Sequence, residues 1–293
     1  MKSLLSCKTI TKIFIEELFQ LSDNSQNLNL NGKILINAFF ESSTRTSLSF
    51  ECAMNKLGGK VITFNKDFSS MNKGESFEDT IKTLSLYGDV LVLRHPEKGQ
   101  VEHARSIIDI PLINAGDGNG EHPTQALLDL YTIYKKYGIE FINKKILFVG
   151  DVKNSRTIHS LLQLIYLYPG MKVYTYSYKG LGPSDKCVEN IKKVHNQDIV
   201  CINDFNEFKP SYFDIIYSTR LQKERLDDSS QMPDIIIDKK FVNKLHKNAI
   251  VMHPLPRNNE LSREVDNDDR CYYFKQMKYG LKLRMALIHK LMS

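Results

Sequence analysis

The chain has 293 residues, 42% of them hydrophobic and 25% charged, which at about 100–200 residues per domain predicts two domains with well-buried cores and excludes a disordered tail protein. Forty Lys and Arg against 34 Asp and Glu leave a formal charge of +6. That surplus is spread along the chain without a basic tract, so it points to small anions as ligands and away from a nucleic-acid surface.

At the start, Lys8, Lys12 and Glu16 interrupt any apolar core, so the segment does not read as a secretory leader. No later run approaches the roughly 18 apolar residues of a membrane span, and a cytoplasmic chain is the expectation. Short apolar runs then alternate with segments of helical period, the pattern of parallel strands joined by crossover helices. The first strands are expected at Ile34–Phe40, Val61–Phe64, Val90–Leu93 and Pro111–Asn114. Between the first two, Phe50, Ala53, Met54 and Leu57 recur at helical spacing behind a Ser/Thr cluster, with Gly58 and Gly59 as the stop, so a helix opens at Ser43 or Thr44. Another opens at Pro123, carries Leu127, Leu128 and Tyr131, ends before Gly138 and links two lobes. The β/α rhythm restarts at Lys145–Val149, Val173–Tyr176, Ile199–Ile202, Asp214–Tyr217 and Ala249–Met252, predicting a second sheet. The last segment, Cys271–Met292, is helical in period apart from Gly280. The fold class is therefore α/β, two lobes, each a mainly parallel sheet flanked by helices.

The five cysteines (Cys7, Cys52, Cys187, Cys201, Cys271) form no C-x-x-C pair and the eight histidines join no metal-binding cluster. Reduced thiols and no protein-held metal are expected. Chemistry collects directly after the strands: Glu41 to Thr46, Arg94-His95, Gly150-Asp151 with Arg156-Thr157, Ser218-Thr219-Arg220, and His253-Pro254-Leu255-Pro256-Arg257. Ligands of open α/β sheets bind beyond the carboxyl ends of the strands, and five arginines there call for a substrate with several negative charges. Ser43-Thr44-Arg45-Thr46 fits a phosphate cradle at a helix N-terminus and fits equally an ordinary cap beside an exposed arginine. Lys73 alone reads as a solvated loop lysine. His122 and Gln125 share a helix mouth, where one can donate to a carbonyl oxygen and the other can bind an amide, although a lone histidine is more often structural. The run Gly116–Gly120 lacks the spacing of a dinucleotide loop, so no nicotinamide cofactor is expected.

In order along the chain, Ser43-Thr44-Arg45-Thr46, Arg94-His95-Pro96, His122-Pro123-Thr124-Gln125, Thr219–Arg225 and His253–Arg257 resemble the carbamoyltransferase family, on its aspartate-accepting side. Relatives that accept ornithine carry a cysteine in the last motif where this chain has Pro254. The resemblance runs from about Ile34 to the C-terminus; the first 33 residues carry little of it, and Ser47 stands where some relatives have arginine. It implies a carbamoyl phosphate lobe over 1–128, an aspartate lobe over 129–280, and a final helix, 281–293, returning to the first. It also implies transfer of the carbamoyl group to L-aspartate in pyrimidine synthesis without a cofactor, in a homotrimer whose Ser69 and Lys73 reach the adjacent subunit's site. Phosphate would be held by Ser43, Thr44, Arg45, Thr46, Arg94, Ser69 and Lys73. The carbonyl oxygen would face Arg45, Thr46 and His122, and the carbamoyl NH₂ would face Gln125 and the backbone carbonyls of Pro254 and Leu255. Aspartate would be held by Lys73, Arg156, Thr157, Arg220 and Gln222. Two other readings are a carbamoyltransferase for another amine such as ornithine, and a non-catalytic assembly paralogue. Regulatory chains are neither required nor excluded by the resemblance.

Overall fold

The structure is a computed structural model that describes residues 2–178, 180–185, 188–189, 192–193, 198–204, 208–221 and 236–293. It divides into two compact units, Met1–Tyr131 with Lys278–Ser293, and Thr132–Met277.

In the first unit, strands β1 (Ile34–Phe39), β2 (Lys60–Asn65), β3 (Val90–His95) and β4 (Leu112–Asp117) form a parallel sheet in the order β2-β1-β3-β4. The inner strands are continuous apolar runs because helices cover both of their faces. Ile36, Ala38, Leu91 and Leu93 pack with Ile81 and Leu84 of α3 (Phe77–Tyr87) and with Val101 and Ala104 of α4 (Gln100–Ile107). The edge strand β2 is half exposed. Helix α1 (Lys12–Asp23) is capped by the Thr11 hydroxyl and buries Phe14, Ile15, Leu18 and Phe19. Helix α2 (Thr44–Lys56) buries Phe50, Ala53 and Met54, and Gly58 and Gly59 close it by donating to Asn55 and Met54 carbonyls. Helix α5 (Pro123–Tyr137) follows β4.

The second unit holds β5 (Lys145–Gly150), β6 (Lys172–Ser177), β7 (Ile199–Ile202), β8 (Ile215–Ser218) and β9 (Ile250–Met252), again parallel, in the order β7-β6-β5-β8-β9. Helix α6 (Arg156–Ile165) is capped by Ser155 and α7 (Lys239–Val242) by Asp238. Leu147, Val149, Ile216 and Val251 form the core with Phe213, Phe241 and Tyr273. The terminal helix α8 (Tyr273–Met292) runs through Gly280 without a break, and both it and α5 carry the chain from one unit into the other.

Both strand orders reverse direction once. From β1 the chain lays β2 on one side and then β3 and β4 on the other; from β5 it lays β6 and β7 on one side and then β8 and β9 on the other. The β1/β3 and β5/β8 junctions are therefore topological switch points, where the connections leave in opposite directions and open a crevice at the carboxyl ends. The strand limits differ from the sequence expectation by at most three residues, the largest shift being the end of β4 at Asp117. Arg94 and His95 are the last residues of β3 rather than the loop behind it, Ser218 ends β8, and Phe40 lies beyond β1 with its N–H on the Arg94 carbonyl at 2.8 Å. Among the described residues no helix is long and apolar enough to cross a membrane, and no group of three His, Cys, Asp or Glu could hold a metal ion.

Candidate active site

The first cluster lies at the β1/β3 switch point. Ser43 is the N-cap of α2 in extended conformation, yet its hydroxyl makes no capping hydrogen bond, whereas Thr11, Ser76 and Ser155 each accept from their helices. The α2 first-turn N–H groups and dipole are thus presented outward, the arrangement that favours an anion. An ordinary cap would use the hydroxyl, so this geometry favours the cradle. Asn37, buried in β1, anchors the first turn by donating to the Ser47 hydroxyl at 3.0 Å. Thr46 is buried, and Thr44 and Arg45 are exposed.

Arg94 comes alongside from β3, paired in register with Phe39 of β1. Its Nε donates to Glu41 Oε1 at 2.5 Å, which fixes the guanidinium at the head of the cradle. His95 is enclosed by the rings of Phe40 and Phe77, and burial lowers its pKa, so it is neutral at neutral pH. Its Nδ1 accepts from the Glu97 N–H at 3.1 Å, which leaves it a packing and turn-holding role.

Beyond β4, His122 immediately before α5 and Gln125 in its first turn are both buried. Gln125 Nε2 donates to Asp129 Oδ1 at 2.9 Å. The Gly116–Gly120 run closes the turn between β4 and α5, with the Gly118 N–H on the His95 carbonyl at 2.9 Å. After the edge strand β2, Ser69 lies between two 3₁₀ turns (Lys66–Phe68 and Ser70–Lys73) and Lys73, exposed, ends the second.

The second cluster lies at the β5/β8 switch point. Gly150 ends β5 at φ +116°, and an added Cβ would meet the Thr219 carbonyl oxygen at 2.4 Å, so only glycine admits the β8 junction this close. Asp151, fully buried, accepts from the Asn154 N–H at 3.0 Å and shapes the loop that delivers Arg156 and Thr157 to the head of α6. Thr157 Oγ1 is 3.0 Å from Ser155 Oγ. Arg220 follows β8, with its Nη1 on the Leu221 carbonyl at 3.3 Å. Gln222 lies outside the described residues.

Beside β8, β9 leads into His253-Pro254-Leu255. His253 is buried; its Nδ1 accepts from the Leu255 N–H at 2.8 Å, so Nε2 carries the proton and donates to Glu260 at 2.9 Å. Burial works against charge on Glu260, yet the donors from His253 and the Asn258 N–H outweigh it and hold the carboxyl below its usual range. These bonds set a turn in which Leu255 has φ +51° and the Leu255–Pro256 peptide is cis. Arg257 is bound away from this turn by both Asp266 oxygens. It therefore braces the fold rather than adding a free cation.

Asp129, Glu260 and Arg284 were not singled out by sequence pattern. For Asp129 a usable signal exists: an acid four residues after a candidate ligand, on the same face of an otherwise apolar helix.

A family model described as the aspartate/ornithine carbamoyltransferase carbamoyl-P binding domain matches residues 2–135, and one described as the Asp/Orn binding domain matches residues 142–291. The chain belongs to the aspartate/ornithine carbamoyltransferase family. It is similar to the chloroplastic aspartate carbamoyltransferase of Oryza sativa subsp. japonica, 43% identical over 275 residues that cover 90% of this chain and 74% of that protein. The solved catalytic subunit of Methanocaldococcus jannaschii aspartate transcarbamoylase superposes with a TM-score of 0.91 at 41% identity, covering 99% of this chain and 98% of that one. The Trypanosoma cruzi aspartate transcarbamoylase in complex with N-(phosphonacetyl)-L-aspartic acid gives a TM-score of 0.89 at 40% identity over 98% of this chain and 94% of that one. This chain is a carbamoyltransferase with the family's two-lobed α/β architecture.

Proposed function

We propose that the chain transfers the carbamoyl group of carbamoyl phosphate to the amine of L-aspartate, giving N-carbamoyl-L-aspartate and phosphate, as a step of pyrimidine biosynthesis. The observation that carries this reading is the head of α2, where Ser43 caps nothing and Arg94 of β3 stands alongside. That is a site for a phosphoryl group.

Carbamoyl phosphate is already an activated acyl donor, so the reaction needs positioning and charge stabilisation rather than a side-chain nucleophile. Ser43, Thr44, Arg45, Thr46 and Arg94 take the phosphate, whose oxygens compete with Glu41 for the Arg94 guanidinium. Arg45, Thr46 and His122 face the carbonyl oxygen, where negative charge grows as the amine adds. Gln125 and the carbonyls of Pro254 and Leu255 accept from the carbamoyl NH₂. Arg156, Thr157, Arg220 and Gln222 with Lys73 bind the aspartate carboxylates, because a planar guanidinium grips a carboxylate through two parallel bonds. The amine attacks as the neutral base, and the departing phosphate takes its proton.

Ser69 and Lys73 act in the site of an adjacent copy within a homotrimer. The uncovered edge strand supports this: Ile62 on β2, Leu48 on α2 before it and Phe68 just after it are large apolar side chains left exposed, Phe68 by 89%. The deciding experiment is carbamoyl aspartate formation by the purified chain with a panel of amines including ornithine, alongside its molar mass in solution. Aspartate is the expected acceptor, in a particle of about three times the 33.8 kDa chain. Transfer to ornithine but not aspartate, or tight carbamoyl phosphate binding without transfer, refutes the reading. Activity that does not recover on mixing Lys73→Ala with Arg45→Ala subunits refutes the shared site.

A further inference from the structure

Gln125 can offer a ligand either its carbonyl oxygen or its NH₂, and only the carbonyl accepts from a carbamoyl NH₂. The fold decides between them from one helical turn away. Asp129, four residues along α5 and fully buried, accepts from Gln125 Nε2 at 2.9 Å. A carboxylate accepts and does not donate, so it holds the NH₂ end and turns Oε1 the other way.

A buried carboxylate is favoured by a nearby positive charge, and the charge of Arg284 on α8 acts on Asp129. Arg284 is 4% exposed, its guanidinium carbon lies 5.1 Å from the Phe50 ring centroid of α2, and it is attracted by the charge of Asp129. Burial presses the guanidinium's pKa down to about 10, with Asp129 acting against that shift, so it is still a cation at neutral pH. Room for it comes from Gly280, where an added Cβ would stand 3.0 Å from both Arg284 Nη1 and Leu128 Cδ2. Arg284 thus sets a buried cation on α8 whose charge acts on Asp129 of α5 at longer range than an ion pair, its Nε having no hydrogen-bond partner and its guanidinium packed on the helix bearing the cradle.

We propose that Asp129, backed by Arg284, is a positioning residue that fixes the Gln125 amide so that its oxygen faces the carbamoyl NH₂ and the site selects carbamoyl phosphate over acyl phosphates lacking that NH₂. This rests on the reading that Gln125 meets the carbamoyl group. Asp129 itself touches no substrate. In Asp129→Asn the shape is kept, but the new amide can present its NH₂ as well as its oxygen to Gln125, so the Gln125 amide is no longer held one way round and can turn over to meet the carbamoyl NH₂ donor to donor.

The test compares dissociation constants for carbamoyl phosphate, acetyl phosphate and inorganic phosphate. Acetyl phosphate carries a methyl group in place of the NH₂. The expected preference for carbamoyl over acetyl phosphate falls about five- to tenfold in Gln125→Leu and by a similar factor in Asp129→Asn, the size of one hydrogen bond, while phosphate binding holds. The double variant Asp129→Leu/Arg284→Met replaces both charges by apolar groups, keeps packing if the single variant does not fold, and should lose the same preference. Adding Gln125→Leu to either should cost nothing more. A preference lost in Gln125→Leu but kept in a folded Asp129 variant overturns the proposal alone. Three ligands weakened together in the Asp129 variants also overturn it, because Asp129 would then only support the fold. A preference untouched by Gln125→Leu removes the reading beneath and the proposal with it.

Discussion

Gly150→Ala places one methyl group at the junction of β5 and β8, and its cost follows from the geometry. The new Cβ would sit 2.4 Å from the Thr219 carbonyl oxygen, where real Cβ atoms do not come within 3.0 Å, so the junction must open by about 0.6 Å. At φ +116° a non-glycine residue costs about 1–3 kcal/mol, and disturbing the Thr219 N–H bond to the Val149 carbonyl, now 2.9 Å, adds about 1 kcal/mol. A total of about 2–4 kcal/mol lowers Tm by about 5–15 °C for a chain of this size. Function should divide as well. Arg220 is the residue after Thr219, so the aspartate KM rises at least about tenfold if one charge-assisted bond is misplaced, while inorganic phosphate binding is unchanged because its residues lie in the other unit. Differential scanning fluorimetry and phosphate titration of the folded variant measure both. A Tm within about 2 °C of the parent, or phosphate affinity falling together with aspartate affinity, refutes the reasoning.

His122→Ala should lower kcat about 10²–10³-fold and leave phosphate affinity nearly unchanged, as loss of one donor to the developing oxyanion predicts; equal losses in steady-state turnover and in phosphate titration would count against that role. Arg220→Lys keeps the charge but removes the two-pronged grip, so the aspartate KM should rise sharply with a smaller change in kcat, read from initial rates; an unchanged KM removes Arg220 from the aspartate site. Asp266→Asn should show a pH-dependent stability difference. Donation from Arg257 holds the Asp266 carboxyl below its ordinary 3.8, with Tyr273 adding to the effect, so its stabilisation is present above that unfolded-state value and lost as pH falls through the folded one. Denaturant midpoints of variant and parent should differ at pH 7 and draw together as pH falls below the ordinary carboxylate range; a gap that does not narrow assigns the effect to packing.

The nine strands among the described residues were legible, the inner ones because strands buried between helices are written as uninterrupted apolar runs such as Val90–Leu93 and Ile146–Val149. Their ends were not, since β3 continues through two polar residues, Arg94 and His95, whose environment is supplied by Glu41 and by the Phe40 and Phe77 rings. Helix α4 carries little local signal: it starts after Gly99 without a side-chain cap and buries only Val101 and Ala104. Among the candidate site residues, Arg45, Arg94, Arg156 and Arg220 stand out in the sequence because cations following apolar runs are conspicuous. Arg284 carries no such mark, and Asp129 only its spacing of four from Gln125. In sequence each resembles a solvated charge on a helix, and only packing between segments 155 positions apart reveals that both are buried. Whether Ser43 caps its own helix or stays available was equally beyond the sequence, since both outcomes use the same residue types.

On the proposed reading, the two switch points divide phosphate and aspartate recognition between separate sheets. On that reading the phosphate is held at the junctions after β1 and β3, and the aspartate arginines stand at those after β5 and β8. A lineage can therefore retune which amine it accepts by rewriting short crossovers in one sheet while the phosphoryl machinery is inherited intact. The family's own description, one donor domain coupled to a domain for either of two amino acids, is what such a partition would leave behind.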